Sequence, residues 1–157
     1  MKKRLLAFMV IVMLGLVFAQ TNESQSDDNP VSVRLEIYVV SVVNGAEQFK
    51  ESTTARPGQT VEYRLFAVNN GDTTLPSGAV AVTGPVPDGT SYVADSATPT
   101  SERVLSEYSS NGADFVESAV VATADGGVIT AVRWTFQADM EPGQEESFVY
   151  RVIVNQQ

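Results

Sequence analysis

The tripeptide Pro-Gly-Gln occurs twice, at Pro57-Gly58-Gln59 and at Pro142-Gly143-Gln144. Each copy launches an alternating run that carries a Tyr-Arg pair, Tyr63-Arg64 in the first and Tyr150-Arg151 in the second. Proline presets the first corner of a turn, and glycine accepts the positive φ that the second corner demands. A turn of this kind feeding a period-two run is a hairpin device. Further turn signals separate the other apolar runs: Asn44-Gly45, Asn69-Asn70-Gly71-Asp72, Pro85-Val86-Pro87-Asp88-Gly89, Ser109-Ser110-Asn111-Gly112 and Ala124-Asp125-Gly126-Gly127. No window beyond the N-terminus shows a helical stripe. Strands recurring every ~8–15 residues predict an antiparallel β-sandwich of about seven to nine strands.

The first predicted strand is 31–43. There Val31, Val33, Leu35, Ile37 and Val39 alternate with Ser32, Arg34, Glu36 and Tyr38, giving one apolar face. The alternation breaks at Val39-Val40, which predicts a bulge or a change of sheet. Residues 46–56 read as a loop or a weak edge strand. In 59–68, Val61, Tyr63, Leu65 and Ala67 share a face. Short strands follow at 79–83 and 90–94. Runs at 103–108 and 115–121 flank Ser109-Ser110-Asn111-Gly112 and predict a hairpin. Strand 129–136 presents Val132, Trp134 and Phe136 to a core, and 147–154 is the last strand.

The N-terminus carries a separate signal. Lys2, Lys3 and Arg4 precede an almost wholly apolar run from Leu5 to Phe18, and Ala19 ends it. This is the layout of a secretory signal peptide over residues 1–19, with cleavage expected between Ala19 and Gln20. The apolar run is short for a spanning helix, so no membrane span is expected after processing. A polar, acidic arm is expected over 20–30, including the sequon Asn22-Glu23-Ser24, and one sandwich domain over 31–157. Loss of the leader removes three positive charges from a chain whose formal charge is already −9, and leaves Lys50 as the sole lysine. So acidic a chain offers no basic footprint for nucleic acid and no attraction to an anionic membrane. With neither Cys nor His, it can form no disulfide, no Cys/His zinc site and no histidine-dependent nucleophile. An exported protein without disulfides suits a prokaryotic envelope and an extracellular, cell-surface or periplasmic address.

The remaining chemistry is sparse. Asp72, Asp88, Asp95, Asp114, Asp125 and Asp139 stand singly near Gly or Pro, where Asp caps turns, and none belongs to a dense calcium loop. Nothing marks a pair of acids facing a cleft. The sequence therefore nominates no catalytic, cofactor-binding or metal-ligating residue and points away from an enzyme. A Lys50–Asn155 isopeptide bond would need a buried lysine, and Lys50 lies in polar sequence. Two strands carry apolar residues on both faces. Phe66 and Val68 lie opposite Tyr63 and Leu65, and Val149 and Ile153 lie opposite Phe148, Tyr150 and Val152. These four residues either pack beneath the 103–121 hairpin, the favoured reading, or form an exposed patch for a partner. Tyr92, Tyr108 and Phe115, near turns, are the candidates for contact through loops.

The order of landmarks resembles a known family. It runs Pro57 to Tyr63, Asn69 to Gly71, Val80 to Val82, Pro87 to Val93, Ser96 to Pro99, Val132 to Thr135, and Pro142 onward. Together these look like the domain of unknown function eleven, an Ig-like repeat of bacterial and archaeal surface proteins. The resemblance covers about 33–154. It departs at Gly84, where members usually carry an Asp before the Pro-x-Gly turn. It implies an Ig-like sandwich and a structural or adhesive envelope role, with the chain itself or other envelope proteins as partners. No C-terminal apolar anchor accompanies it, so retention through protein contacts, or release, is expected. The alternative is a soluble secreted module that recognises a glycan or a protein through loops at one sandwich end.

Overall fold

The computed structural model describes residues 29–156. The leader, the cleavage point at Ala19 and Gln20, and most of the 20–30 arm lie outside the described residues. Eight strands form in chain order: β1 (Val31–Val43), β2 (Ala46–Glu51), β3 (Thr60–Asn69), β4 (Ala81–Pro85), β5 (Thr90–Tyr92), β6 (Val104–Ser109), β7 (Ala131–Phe136) and β8 (Glu145–Val154), with one short helix, α1 (Ala119–Ala122). They make a five-stranded sheet of order β2-β1-β3-β8-β5 and a three-stranded sheet of order β4-β7-β6. Every pairing is antiparallel, and the two sheets pack face to face as the predicted sandwich.

The twin Pro-Gly-Gln turns are alike in atomic detail. In each, the glutamine N–H donates to the carbonyl three residues back, Gln59 to Arg56 and Gln144 to Glu141, both at 3.0 Å. Gly58 and Gly143 take φ of 82° and 76°. The glutamine side chain then closes the turn: Gln59 Oε1 accepts from Arg56 N at 2.7 Å, and Gln144 Oε1 accepts from Glu141 N at 3.0 Å. Each turn also clamps the strand that its neighbour launches. Gly58 N donates to Val154 O at the end of β8, and Gly143 N donates to Asn69 O at the end of β3. The two turns therefore sit at opposite ends of the central β3–β8 pair and hold its register.

The core lies where the small sheet covers that pair. Val61, Tyr63, Leu65 and Ala67 of β3 meet Phe148, Tyr150, Val152 and Val154 of β8 on the inner face, all buried. Trp134 of β7 stacks on Phe148 with ring centroids 5.2 Å apart, and Phe136 meets the same ring edge-on at 5.6 Å. The buried face of β7 is the predicted one. Among the described residues no buried side-chain polar atom lacks a hydrogen-bond partner.

Gly84 sits where a side chain has no room. A Cβ there would lie 2.5 Å from Cε1 of Tyr150. That ring is fixed by a stack on Tyr63 at 5.0 Å and by its hydroxyl, which donates to Pro85 O at 2.6 Å. Gly84→Ala is expected to cost about 2 kcal/mol by overpacking, read as a shift of the urea midpoint. An unshifted midpoint would show that Tyr150 yields freely.

Two expectations are corrected. β1 shows no bulge at Val39-Val40: its register with β3 is unbroken to Val40, and it continues past the start of β3 as a hairpin with β2. The Asn44-Gly45 turn of that hairpin has positive φ at both corners, 54° and 81°, as its tight connection requires. Nor do 103–108 and 115–121 form a hairpin. Only the Tyr108–Val116 bridge forms, and the chain then turns through α1, capped by Ser118. The valines of 116–121 suggest a strand, but past the Tyr108 bridge the outer edge of β6 is already in use: Ser106 N donates to Thr100 Oγ1 at 3.0 Å and Ser101 N donates to Val104 O at 2.8 Å.

Candidate functional site

The small sheet is offset. β7 lies over β8, as the Trp134–Phe148 stack shows, and β4 lies over β3. β6 lies over the far side, where Ser106 Oγ donates to Thr98 O beside the β8 edge. The small sheet therefore leaves most of β1 bare. The apolar face of β1 read from the sequence is real, but its middle is uncovered: Val33 is 47% exposed and Leu35 36%. Their neighbours on β3, Ala67 and Leu65, are buried. Further along the same face, Ile37 and Val39 join Ala55, Val61, Tyr63 and Val154 around a cavity of about 190 Å³, roofed by residues 52–55. The result is an apolar strip ~20 Å long at about 3.3 Å per residue from Val33 to Val39, with the free edge of β4 alongside.

The outer face of the large sheet is organised differently. Glu62 is buried, yet its carboxylate accepts from Arg64 Nε at 2.6 Å and from Arg151 Nε at 2.8 Å. Arg151 also grips both oxygens of Glu47, at 2.7 and 2.8 Å. Glu47 is level with Val42, beyond the start of β3, so the end of the β1–β2 hairpin bends back across this face. Arg64 lies over the rings of Tyr38, at 4.4 Å, and Phe49, at 4.8 Å. The paired carboxylates, Glu47 first, push the Arg151 pKa up against a smaller effect of burial.

That grip has a pH consequence. The hydrogen bonds from Arg151 hold the Glu47 carboxyl below its ordinary 4.5. A carboxylate whose folded value is depressed contributes above its unfolded value, and the contribution disappears as pH falls through the folded one. Protection of the 46–51 amides against hydrogen exchange is therefore expected to fall on acidification below about pH 4.5. Glu47→Gln should show the weaker protection throughout the range. Equal protection factors for the two proteins at neutral pH would remove the role of this pair.

The residues singled out from sequence do not form one surface. Phe66, Val68, Val149 and Ile153 all lie on the outer face of the large sheet, where the 103–121 segment cannot cover them because β6 belongs to the other sheet. The favoured intramolecular cover is thus wrong. Phe66 is roofed instead by the Arg34 guanidinium at 3.9 Å, and Arg151 with its carboxylates stands between Val149 and Ile153. Phe66, Val68 and Val149 are half-buried; Ile153 is 42% exposed. Tyr92 and Tyr108 do meet, edge to face at 6.0 Å, but half-buried against the core. Burial, with Tyr92 adding to it, raises the Tyr108 hydroxyl to about 12. Phe115 lies apart from them, beneath Arg133 at 4.0 Å.

Family models, curated proteins and solved structures were compared, and none matches. The exposure of the β1 strip and the Glu47–Arg151–Glu62 network are not legible in the sequence. The strip was visible as the alternation of 31–39, but whether a second sheet lies above it depends on sheet offset. The network joins residues from β2, β3 and β8, and only the Tyr-Arg pairs after the twin turns hinted at it.

The Lys50–Asn155 bond is not supported by the arrangement. Lys50 is exposed on edge strand β2. Asn155 is exposed beyond β8, where its side chain accepts from Ser91 Oγ at 2.7 Å. β1 and β3 stand between the two strands. An intact mass equal to that of the unmodified chain is expected, and a loss of one ammonia would overturn this.

Proposed function

We propose that the chain is an exported, non-enzymatic envelope protein whose sandwich domain is a structural or adhesive module. It joins copies of itself or other surface proteins. The observation that carries this reading is the uncovered apolar face of β1 beside an unpaired strand edge. A contiguous apolar strip is costly to leave in water and marks contact surfaces on soluble domains. The secretory leader of 1–19 and the ordered resemblance to the domain of unknown function eleven support the address and the class. Among the described residues no helix is long and apolar enough to cross a membrane.

The test has two arms. Protein recovered from an exporting cell is expected to begin at Gln20 by intact mass. Light scattering over a concentration series, with fractionation of the envelope, is expected to show self-association or co-fractionation with other envelope proteins. A chain that stays monomeric and is found wholly in the medium would overturn the module reading. A second reading, a soluble module that binds a glycan or protein through one sandwich end, draws on Val120, Val121 and Val128. These lie exposed at 78%, 60% and 70% around α1. Serine at all three is expected to abolish binding under that reading and to leave it unchanged under the first.

A further inference from the structure

We propose that the flank between β1 and β4 seats an extended strand from a different polypeptide. That strand has apolar side chains at alternate positions, with charged groups that match Asp72 at one end and Lys50 at the other. This rests on the reading of the domain as an interaction module and names the surface and the partner chemistry.

The main chain of β4 supplies the first half of the seat. Phe136 N donates to Val80 O at 3.0 Å. The antiparallel alternation then turns the N–H and C=O of Val82 and Gly84 toward β7 and those of Ala81 and Thr83 toward the free edge. Pro85 ends that edge, having no N–H and lending its carbonyl to Tyr150. β1 supplies the second half. Val33 and Leu35 form an apolar floor next to the edge, and the cavity of about 190 Å³ at Ile37 and Val39 takes one apolar side chain. Alternate side chains of an added strand point one way, which suits an edge with a floor on one side.

The same features select the occupant. A hydrocarbon chain would cover Ala81 and Thr83 and leave their main-chain groups without partners, a cost of about 1–3 kcal/mol for each group. A peptide strand satisfies them. The chain's own N-terminal segment enters at Pro30, but residues 20–28 contain no apolar side chain to fill the floor. A second copy is a poorer guest. Its β3, β7 and β8 are paired on both edges, its edge strand β2 is polar, its β4 exposes only the small Ala81 and Thr83 ahead of Pro85, and the stretch of β1 left open on one edge, 31–37, belongs to a five-stranded sheet that would have to enter with it. Charge then orients the guest. Lys50 stands opposite Val39 on the strip's side of the sheet, and Asp72 follows Gly71, whose position packs on Pro30 at the other end. Neither has an ion-pair partner among the described residues.

The experiment uses two fluorescein-labelled octapeptides, Lys-Thr-Val-Thr-Leu-Thr-Val-Glu and the same peptide with its terminal charges exchanged. Fluorescence anisotropy with the processed chain is expected to show saturable binding of one of them, which also reports strand direction. Leu35→Glu removes the floor. Thr83→Pro deletes an N–H that no ladder bond uses, so the sandwich is kept while the edge is blocked. Each is expected to weaken binding at least about tenfold, while Ile153→Glu on the outer face leaves it unchanged. Far-UV circular dichroism checks that the variants fold, and Val33→Ser replaces Leu35→Glu should the latter unfold. Failure of both peptides to bind, or equal binding by Leu35→Glu and Thr83→Pro, overturns the seat. If those variants still co-fractionate with the envelope, the module reading survives the loss of the seat. If the wild type neither co-fractionates nor self-associates, both fall. Self-association abolished by Leu35→Glu would make the occupant a second copy and overturn the choice of partner.

Discussion

Trp134→Ala is expected to lower stability by about 4 kcal/mol, the range for deleting a large aromatic from a packed core. The side chain is fully buried and stacks on Phe148, with Tyr150 tilted against it at 6.0 Å. Its Nε1–H donates to Thr98 O at 3.0 Å. Thr98 belongs to the segment that leaves β5, follows the edge of β8 and crosses to the small sheet. Its N–H donates to Val149 O at 2.8 Å, and its Oγ1 accepts from Val149 N at 2.8 Å. The lone tryptophan thus ties both sheets to the crossing between them. Urea unfolding followed by far-UV circular dichroism measures the loss without relying on tryptophan fluorescence. Trp134→Phe keeps most of the stack and forfeits the hydrogen bond, so a loss of about 1 kcal/mol is expected. A loss below about 2 kcal/mol for the alanine variant would show that the two sheets close over the gap.

Arg151→Met is expected to cost about 3 kcal/mol, because it strands a buried carboxylate. The Glu62 side chain is only 4% exposed, and without Arg151 it keeps a single cation, Arg64. The same substitution frees Glu47 and with it the end of the β1–β2 hairpin. The mechanism makes a second, sharper forecast. Removing the buried carboxylate as well, in Arg151→Met with Glu62→Met, is expected to restore much of the stability, since the penalty is desolvation of a carboxylate left with Arg64 alone rather than loss of attraction. Chemical denaturation of the two single variants and the double completes the cycle. A double variant as unstable as the sum of the singles would place the cost in packing instead.

Much of the architecture was legible because it depends on short-range rules. The faces of β3, β7 and β8 follow from alternation at Val61 to Ala67, Val132 to Phe136 and Phe148 to Val154. Asn44-Gly45 requires the left-handed corners that it adopts. The misreadings have physical causes of one kind. Val39-Val40 looked like a bulge, but the strand outruns its neighbour and changes partner without breaking register. Residues 115–121 have the composition of a strand, yet a strand needs an available edge, and only one bridge forms. For Phe66 and Ile153 the sequence suggests a cover that the sheet order forbids. For the candidate site, the apolar residues of β1 were found and their exposure was not. Periodicity reports which side chains share a face; it carries no information about what lies above that face.

The repeated Pro-Gly-Gln shows the same division. By itself the sequence determined that each copy turns and launches a strand, since Pro and Gly restrict backbone angles wherever they stand. Only the tertiary structure decided that each turn clamps the strand launched by the other. The clamping bonds, Gly58 N to Val154 O and Gly143 N to Asn69 O, join residues far apart in the chain and form once β3 and β8 are neighbours. Sheet offset is of the same order. It leaves Val33 and Leu35 open beside the free edge of β4 because a three-stranded layer cannot cover a five-stranded one, and that mismatch lies in how the sheets stack rather than in any local pattern.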